Sequence, residues 1–247
     1  MDGDLLFLNP EEPERGMRII SWNMGCAPRG SRYRRTHTEA WRYLLDTLKP
    51  DVAFVQEALH PTDAVTPDDG HLAWSADKGD QSGTAVFIRR GLSFDPLTLR
   101  ADKSYVAGVR ALIKGEPILF VSIHVGPPYR KNLKTLVNVL CPIIQGTRFV
   151  VGGDWNAARH VDDVYGGKWY RRFFDDLAAR QMVDCHWQQH EKEVQSLWRK
   201  QDKYTYQCDH LFADAQTATG ANCNVLTHID RFSDHSPVEL VAGILRS

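Results

Sequence analysis

The chain has little net charge, no long apolar run and no paired cysteine motif. Thirty Lys and Arg face 31 Asp and Glu, leaving a formal charge of −1. No global field therefore draws it to a polyanion, and any such binding must come from local patches. The five cysteines, at 26, 141, 185, 208 and 223, are odd in number and form no CxxC pair. They read as reduced thiols of a cytoplasmic protein, not as a disulfide framework. The N-terminal apolar run, Leu5-Leu6-Phe7-Leu8, is too short for a signal peptide or a membrane span. No membrane association is expected on that ground. Neither an internal repeat nor a low-complexity tract is present, and nothing calls for an obligate protein partner.

What is present suits a globular enzyme. The 247 residues, 43% hydrophobic and 25% charged, fit one α/β domain with a large core. Residues 1–16 read as a leader and 17–247 as a single domain. Trp41, Leu44, Leu45 and Leu48 follow helical spacing and predict a helix over 36–49, capped by Thr36 or Thr38 and stopped by Pro50. The same spacing predicts helices over 132–140 and 169–180. Strands are expected over 83–88, 105–113 and 117–123, a surface loop over the polar, Pro/Asp/Gly-rich 60–82, and nothing definite over 187–203. Strands and helices mix without strict alternation, which argues for an α+β or mixed α/β fold.

The chemistry lies where apolar runs end. Phe149-Val150-Val151 reads as a buried strand. Gly152 and Gly153 are expected to end it in a sharp turn, after which Asp154 and Asn156 emerge. Other apolar runs end in Asn23 (IISWN), Glu57 (VAFVQE) and His124 (ILFVSIH). Asp209 sits among β-prone residues (CDHLF), and Asp234-His235 precedes an apolar run (SDHSPV). A carboxylate straight after VAFVQ is costly to bury unpaired, so Glu57 needs a cation or donors.

Taken in order, SWN, QE, a strand ending in His, GDWN, CDHLF and SDHSPV resemble the endonuclease/exonuclease/phosphatase superfamily over about residues 17–245. The resemblance implies a four-layer sandwich, two packed mixed β-sheets flanked by helices, with the site at one edge. It implies Mg²⁺ or Mn²⁺ held by the oxygens of Glu57, Asn23 and Asp234. His235 is implied as general base or transition-state stabiliser, near-neutral in pKa and oriented by Asp209, although Asp209 could equally serve His124. Asp154 and Asn156 would position water and phosphate, with Asp154 also a candidate base. His124 would contact the phosphate or act as an acid. The chain departs from relatives at Gly25, where some carry an acid. It also departs at His124, where apurinic-site endonucleases often carry Tyr, and before Asp209, where Tyr-Gln-Cys replaces their Gly-Trp-Arg and the Trp-Cys of inositol phosphatases.

The substrate reading rests on three basic clusters that follow these strand ends. They are Arg29, Arg32, Arg34 and Arg35; Arg130, Lys131 and Lys134; and Lys168, Arg171 and Arg172. Tyr33, Tyr129, Trp155 and Trp169 lie among them as candidates for base stacking. Arg110, inside an alternating strand, is a candidate phosphate ligand. These features favour a DNA or RNA nuclease, with water attacking phosphorus in line. The competing classes are a phosphatase or phospholipase-type phosphodiesterase on inositol phosphates, sphingomyelin or small nucleotides, and a non-catalytic binding module on the same fold.

Overall fold

Runs rich in Val, Ile and Phe become strands because branched and aromatic side chains pack well on a pleated, half-buried surface. The computed structural model describes residues 16–27, 30–76, 81–97, 104–198 and 206–243. The expected leader, apart from Gly16, and Arg29 lie outside the described residues. The strands in chain order are β1 (Met17–Asn23), β2 (Val52–Leu59), β3 (Gly70–Ser75), β4 (Ser82–Arg89), β5 (Ser93–Leu97), β6 (Ser104–Ile113), β7 (Glu116–Val125), β8 (Arg148–Asp154), β9 (Val183–Asp184), β10 (Asp209–Ala213), β11 (Asn222–Val225) and β12 (Val238–Ala242). The helices are α1 (His37–Arg42), α2 (Tyr129–Ile144), α3 (His160–Tyr165), α4 (Trp169–Ala179), α5 (Cys185–His190) and α6 (Ala215–Ala218).

The strands form two six-stranded mixed sheets, ordered β11-β12-β1-β2-β4-β3 and β5-β6-β7-β8-β10-β9. Their inner faces meet through Met17, Phe54, Val86, Val109, Phe120 and Leu211. Helices cover both outer faces. Trp41, Leu44 and Leu45 pack on Trp22 and Val55 of the first sheet, while Leu133, Leu136, Phe173 and Leu177 pack on Val121 and Phe149 of the second. Each such side chain, fully buried, contributes about 1.5–3 kcal/mol. The expected four layers are therefore present.

Several local expectations change. The 36–49 helix is α-helical only to Arg42 and continues as a π-turn over Tyr43–Leu48. It ends at left-handed Lys49, whose N–H donates to Leu44 O at 2.9 Å. Thr36 occupies the N-cap without a side-chain cap bond. Its hydroxyl instead donates to the carbonyls of Tyr33 and Arg231. The expected loop over 60–82 contains β3, an edge strand paired, among the described residues, with β4 alone. Gly152 and Gly153 do not end their strand: pairing runs through to Asp154. A Cβ on Gly152 would stand 2.4 Å from the Phe54 ring, so this glycine lets the two sheets close. Gly153 has φ +150°, and a Cβ there would lie 1.9 Å from Ile123 O, so it lets β7 and β8 close.

Candidate active site

Register alone assembles half of the site. β7 and β8 run parallel with His124 opposite Asp154, and β10 runs antiparallel to β8 with Asp209 opposite Asp154. His124, Asp154 and Asp209 thus form one row across the second sheet, on one face by the period-two rule. In the first sheet, parallel β1 and β2 place Asn23 opposite Gln56. The β2–β4 register shifts between Val55 and Ala58, and Glu57 takes φ +47° inside that irregularity. A non-glycine residue in the left-handed region costs about 1–3 kcal/mol, and bulges are a common means of re-aiming a side chain. Here Glu57 faces the opposite sheet, with its Oε1 3.2 Å from His124 Nε2. Asn156 is likewise left-handed, at φ +48°.

Asp154 is the hub. Its Oδ2 accepts from Asn23 Nδ2 at 2.9 Å and Asn156 Nδ2 at 3.0 Å, and its Oδ1 accepts from the Asn156 N–H at 2.9 Å. Asn156 also donates to Val125 O at 3.0 Å, tying the loop after β8 to the end of β7. Burial is the main force raising the Asp154 pKa, with the charges of Asp209 and Glu57 adding to it against those of His235 and His124. Burial pushes Glu57 the same way. There the hydrogen bond and charge of His124, the charge of His235 and a hydrogen bond from Asn23 prevail, holding it at about 2.

His235 hangs from the loop before β12. Trp22 Nε1 donates to its carbonyl at 3.1 Å, Ser233 Oγ accepts from its N–H at 2.9 Å, and Ser233 Oγ in turn donates to Asn23 O at 2.6 Å. Its Nδ1 lies 2.8 Å from Asp209 Oδ2. Ser196 Oγ donates to the same oxygen at 2.7 Å, while Asp209 Oδ1 is buried without a partner among the described residues. Asp209 therefore serves His235 and not His124. Burial opposes a charged His235, but the charge and hydrogen bond of Asp209, with Asp154 and Asp234, push it up to about 10. Asp209 thus favours the protonated ring of His235, where the sequence suggested a near-neutral histidine.

One expected cation ligand, Glu57, lies in a cluster of possible donors. Glu57, His124 and Asp154 offer donor atoms all within 4.8 Å of one another. Asn23 orients this group: its Oδ1 accepts from the Gly25 N–H at 2.8 Å and its amide donates to the carboxylates. Asp234 stands outside the cluster of three, half-buried, with an oxygen 2.9 Å from where a Gly25 Cβ would sit. That contact, the nearby Tyr33 ring and φ +63° account for glycine at this position.

Several substrate candidates do not reach the site. Trp155 is fully buried beneath the second sheet, against Phe173 and Phe212, because it follows Asp154 and turns away from it. Tyr33 is buried. Arg110 is exposed opposite Leu119, five pairs along β6 from the pair formed by Tyr105 and His124. At about 3.3 Å per residue it lies some 16 Å from the rim. Tyr129 is exposed at the start of α2. In the basic clusters, Arg130 lies over Trp169 and Tyr170, Arg171 pairs with Asp163 and Arg32 with Asp230. Lys131, Lys134 and Arg35 are exposed. Sequence reasoning missed Ser196, in a polar segment without periodicity. It also missed Tyr105, whose ring stacks on His124 at 5.8 Å and 12°.

The chain that builds this row and loop is matched by a family model. Residues 20–235 match the Endonuclease/Exonuclease/phosphatase family, and the chain belongs to that family, placing it among phosphoester hydrolases. Similar solved structures include a humanized D. rerio TDP2 carrying 14 mutations, 17% identical, covering 91% of this chain and 97% of that one with a TM-score of 0.68. An AP endonuclease from Leishmania major, LMAP, is 18% identical over 93% of this chain and 88% of its own, with a TM-score of 0.73. A 3′ phosphatase, NExo, from Neisseria, bound to product DNA hairpin, is 18% identical over 91% and 98%, with a TM-score of 0.66. At these identities they share the fold. None of the curated proteins matches the chain in sequence.

Proposed function

We propose that the chain is a divalent-metal-dependent phosphodiesterase acting on nucleic acid, a DNA or RNA nuclease. The observation that carries the reading is a cluster of Glu57, His124 and Asp154 at the same rim as the Asp209-held His235. Two carboxylates and an imidazole fit a divalent cation, and the oxygen donors suit Mg²⁺ or Mn²⁺. Glu57 would hold it, with His124 and Asp154 as the other protein donors in reach. When bound, the cation offsets negative charge on the phosphate and the leaving oxygen. His235 uses Nδ1 for Asp209, which leaves Nε2 to support the charge that grows on the phosphoryl oxygens. Because Asp209 favours the protonated His235, the role of base falls to Asp154, whose pKa burial raises and which accepts the proton of the attacking water. Asn23 and Asn156 keep that carboxylate aimed.

The DNA-directed neighbours support the nucleic-acid substrate, as do the exposed basic residues after β7 and near β1. The cytoplasmic reading is supported by five free thiols, four of them buried. No helix among the described residues is long and apolar enough to cross a membrane. Nicking of supercoiled plasmid with Mg²⁺ or Mn²⁺, blocked by EDTA and by His235→Ala, is the expected result. Absence of cleavage of both DNA and RNA under every metal condition would refute the proposal.

A further inference from the structure

Trp198 is a large apolar side chain left 43% exposed, and it sits along the loop that carries His235. Its segment runs along the His235 loop. Leu197 bridges His235, the Trp198 N–H donates to Asp234 O at 2.7 Å, and the Ser236 N–H donates to Ser196 O at 2.7 Å. The ring is held as firmly as the backbone. Its Nε1 donates to Ser236 Oγ at 2.9 Å, and the His228 ring stacks on one face at 5.0 Å and 20°. With one edge bonded and one face covered, the exposed area falls on the remaining face and edge. Two other exposed large hydrophobics, Leu112 and Tyr165, lie on other elements. Leu112 lies at the far end of β6, and Tyr165 ends α3. A rigid, partly exposed indole binds planar rings at little entropic cost, and aromatic stacking is the sequence-tolerant way to hold a nucleobase.

Resting on the nuclease reading above, we infer that Trp198 is the stacking platform for the nucleobase flanking the reacting phosphate. Its pre-set ring seats the base while His235, held by Asp209, addresses the phosphate one step away. Bases of either sugar type stack on it, so it sets affinity and strand position, not DNA against RNA.

The test uses a short single strand with one 2-aminopurine between abasic residues and phosphorothioate linkages, so that binding is read by fluorescence quenching without cleavage. Wild-type protein should quench the base. Trp198→Ala should bind about 5- to 100-fold more weakly, the range of a lost base stack. Trp198→Tyr should keep most of the affinity, and Leu112→Ala should match wild type. A fully abasic strand of equal length should bind wild type and Trp198→Ala equally, because it has charge but no base. Cleavage of an ordinary strand is measured alongside. Equal quenching by wild type and Trp198→Ala, with cleavage intact, would overturn the platform and leave the nuclease reading standing. Quenching through Trp198 without cleavage of any strand would keep the platform and overturn the nuclease reading. Neither quenching nor cleavage by wild type would overturn both.

Discussion

Asp209 and His210 are neighbours in sequence, yet each belongs to a different buried His–Asp pair. His235 pairs with Asp209 through Nδ1 at 2.8 Å. His210 faces Asp184 through Nδ1 at 3.4 Å. Burial opposes charge on both rings, and the paired aspartates outweigh it: His235 is pushed up to about 10, and His210 is raised as well. The difference is what becomes of the second nitrogen. His210 Nε2 faces the carbonyls of Ala157 at 3.0 Å and Gln207 at 2.9 Å, and Arg159 completes the ionic set on Asp184 at 2.9 Å. His210 Nδ1 faces Asp184 as an ion pair without an aligned hydrogen bond, and its Nε2 is taken by two carbonyls, so the pair holds the loop after β8 to the segment before β10. His235 keeps one nitrogen for a ligand. A charged histidine is thus structural or reactive according to whether its far side is occupied.

The comparison breaks most visibly in turnover. His235→Ala and Glu57→Ala should each lower kcat by at least about 10²-fold, the scale for losing one charged group that meets the transition state. Steady-state kinetics on a defined strand checks this, and near-native turnover by either variant would remove that residue from the reaction. His210→Ala should act on stability instead. It leaves Asp184 with Arg159 and the Trp187 N–H and takes a partner from two carbonyls, a loss of about 3–5 kcal/mol for breaking a buried ionic set. Calorimetry should show a melting temperature lower by about 10 °C, at about 2–4 °C per kcal/mol for a chain of this size. Turnover per folded molecule should change only a few-fold. A large loss of kcat without a change in melting would erase the distinction between the pairs.

The smallest effect comes from His186, a buried histidine without an aspartate partner. Burial foremost, and the charge of His190, hold it down at about 4. The unfolded chain takes that proton near pH 6.5. The contribution is therefore fully present above about pH 6.5 and lost as pH falls toward 4. His210 has the opposite sign: its contribution is present below the unfolded pKa and lost as pH rises through its raised folded value. From pH 7.5 down to pH 5 the urea midpoint of His186→Leu should rise relative to that of wild type, because the variant lacks the group that resists protonation in the fold. A constant difference between the two proteins across that range would place the sensitivity elsewhere.

The strand ends are legible in the sequence because an apolar run that stops at Glu, His or Asp states where burial ends and chemistry begins. Glu57, His124, Asp154 and Asp209 are readable on that logic, but their partners are not. Which aspartate meets His235 depends on a loop that crosses between the sheets. The cation set depends on the irregularity in β2 that re-aims Glu57. Trp155 is misleading because adjacency to Asp154 in sequence means the opposite face in a strand. Ser196 and Trp198 lie in a segment without periodicity, where position comes from hydrogen bonds to residues about 40 or fewer places ahead.

The hydrogen bond from Ser233 to the carbonyl of Asn23, and the pairing of β1 with β12, have a consequence for the order of events on the ribosome. One wall of the site is made early, from the first strand, and the other awaits the residues around 233–242. Until those residues emerge, His235 is absent and β1 has no antiparallel partner. A nascent chain therefore carries Glu57, His124, Asp154 and Asp209 before His235 is there to meet them, and this wall of the site closes when β12 joins β1.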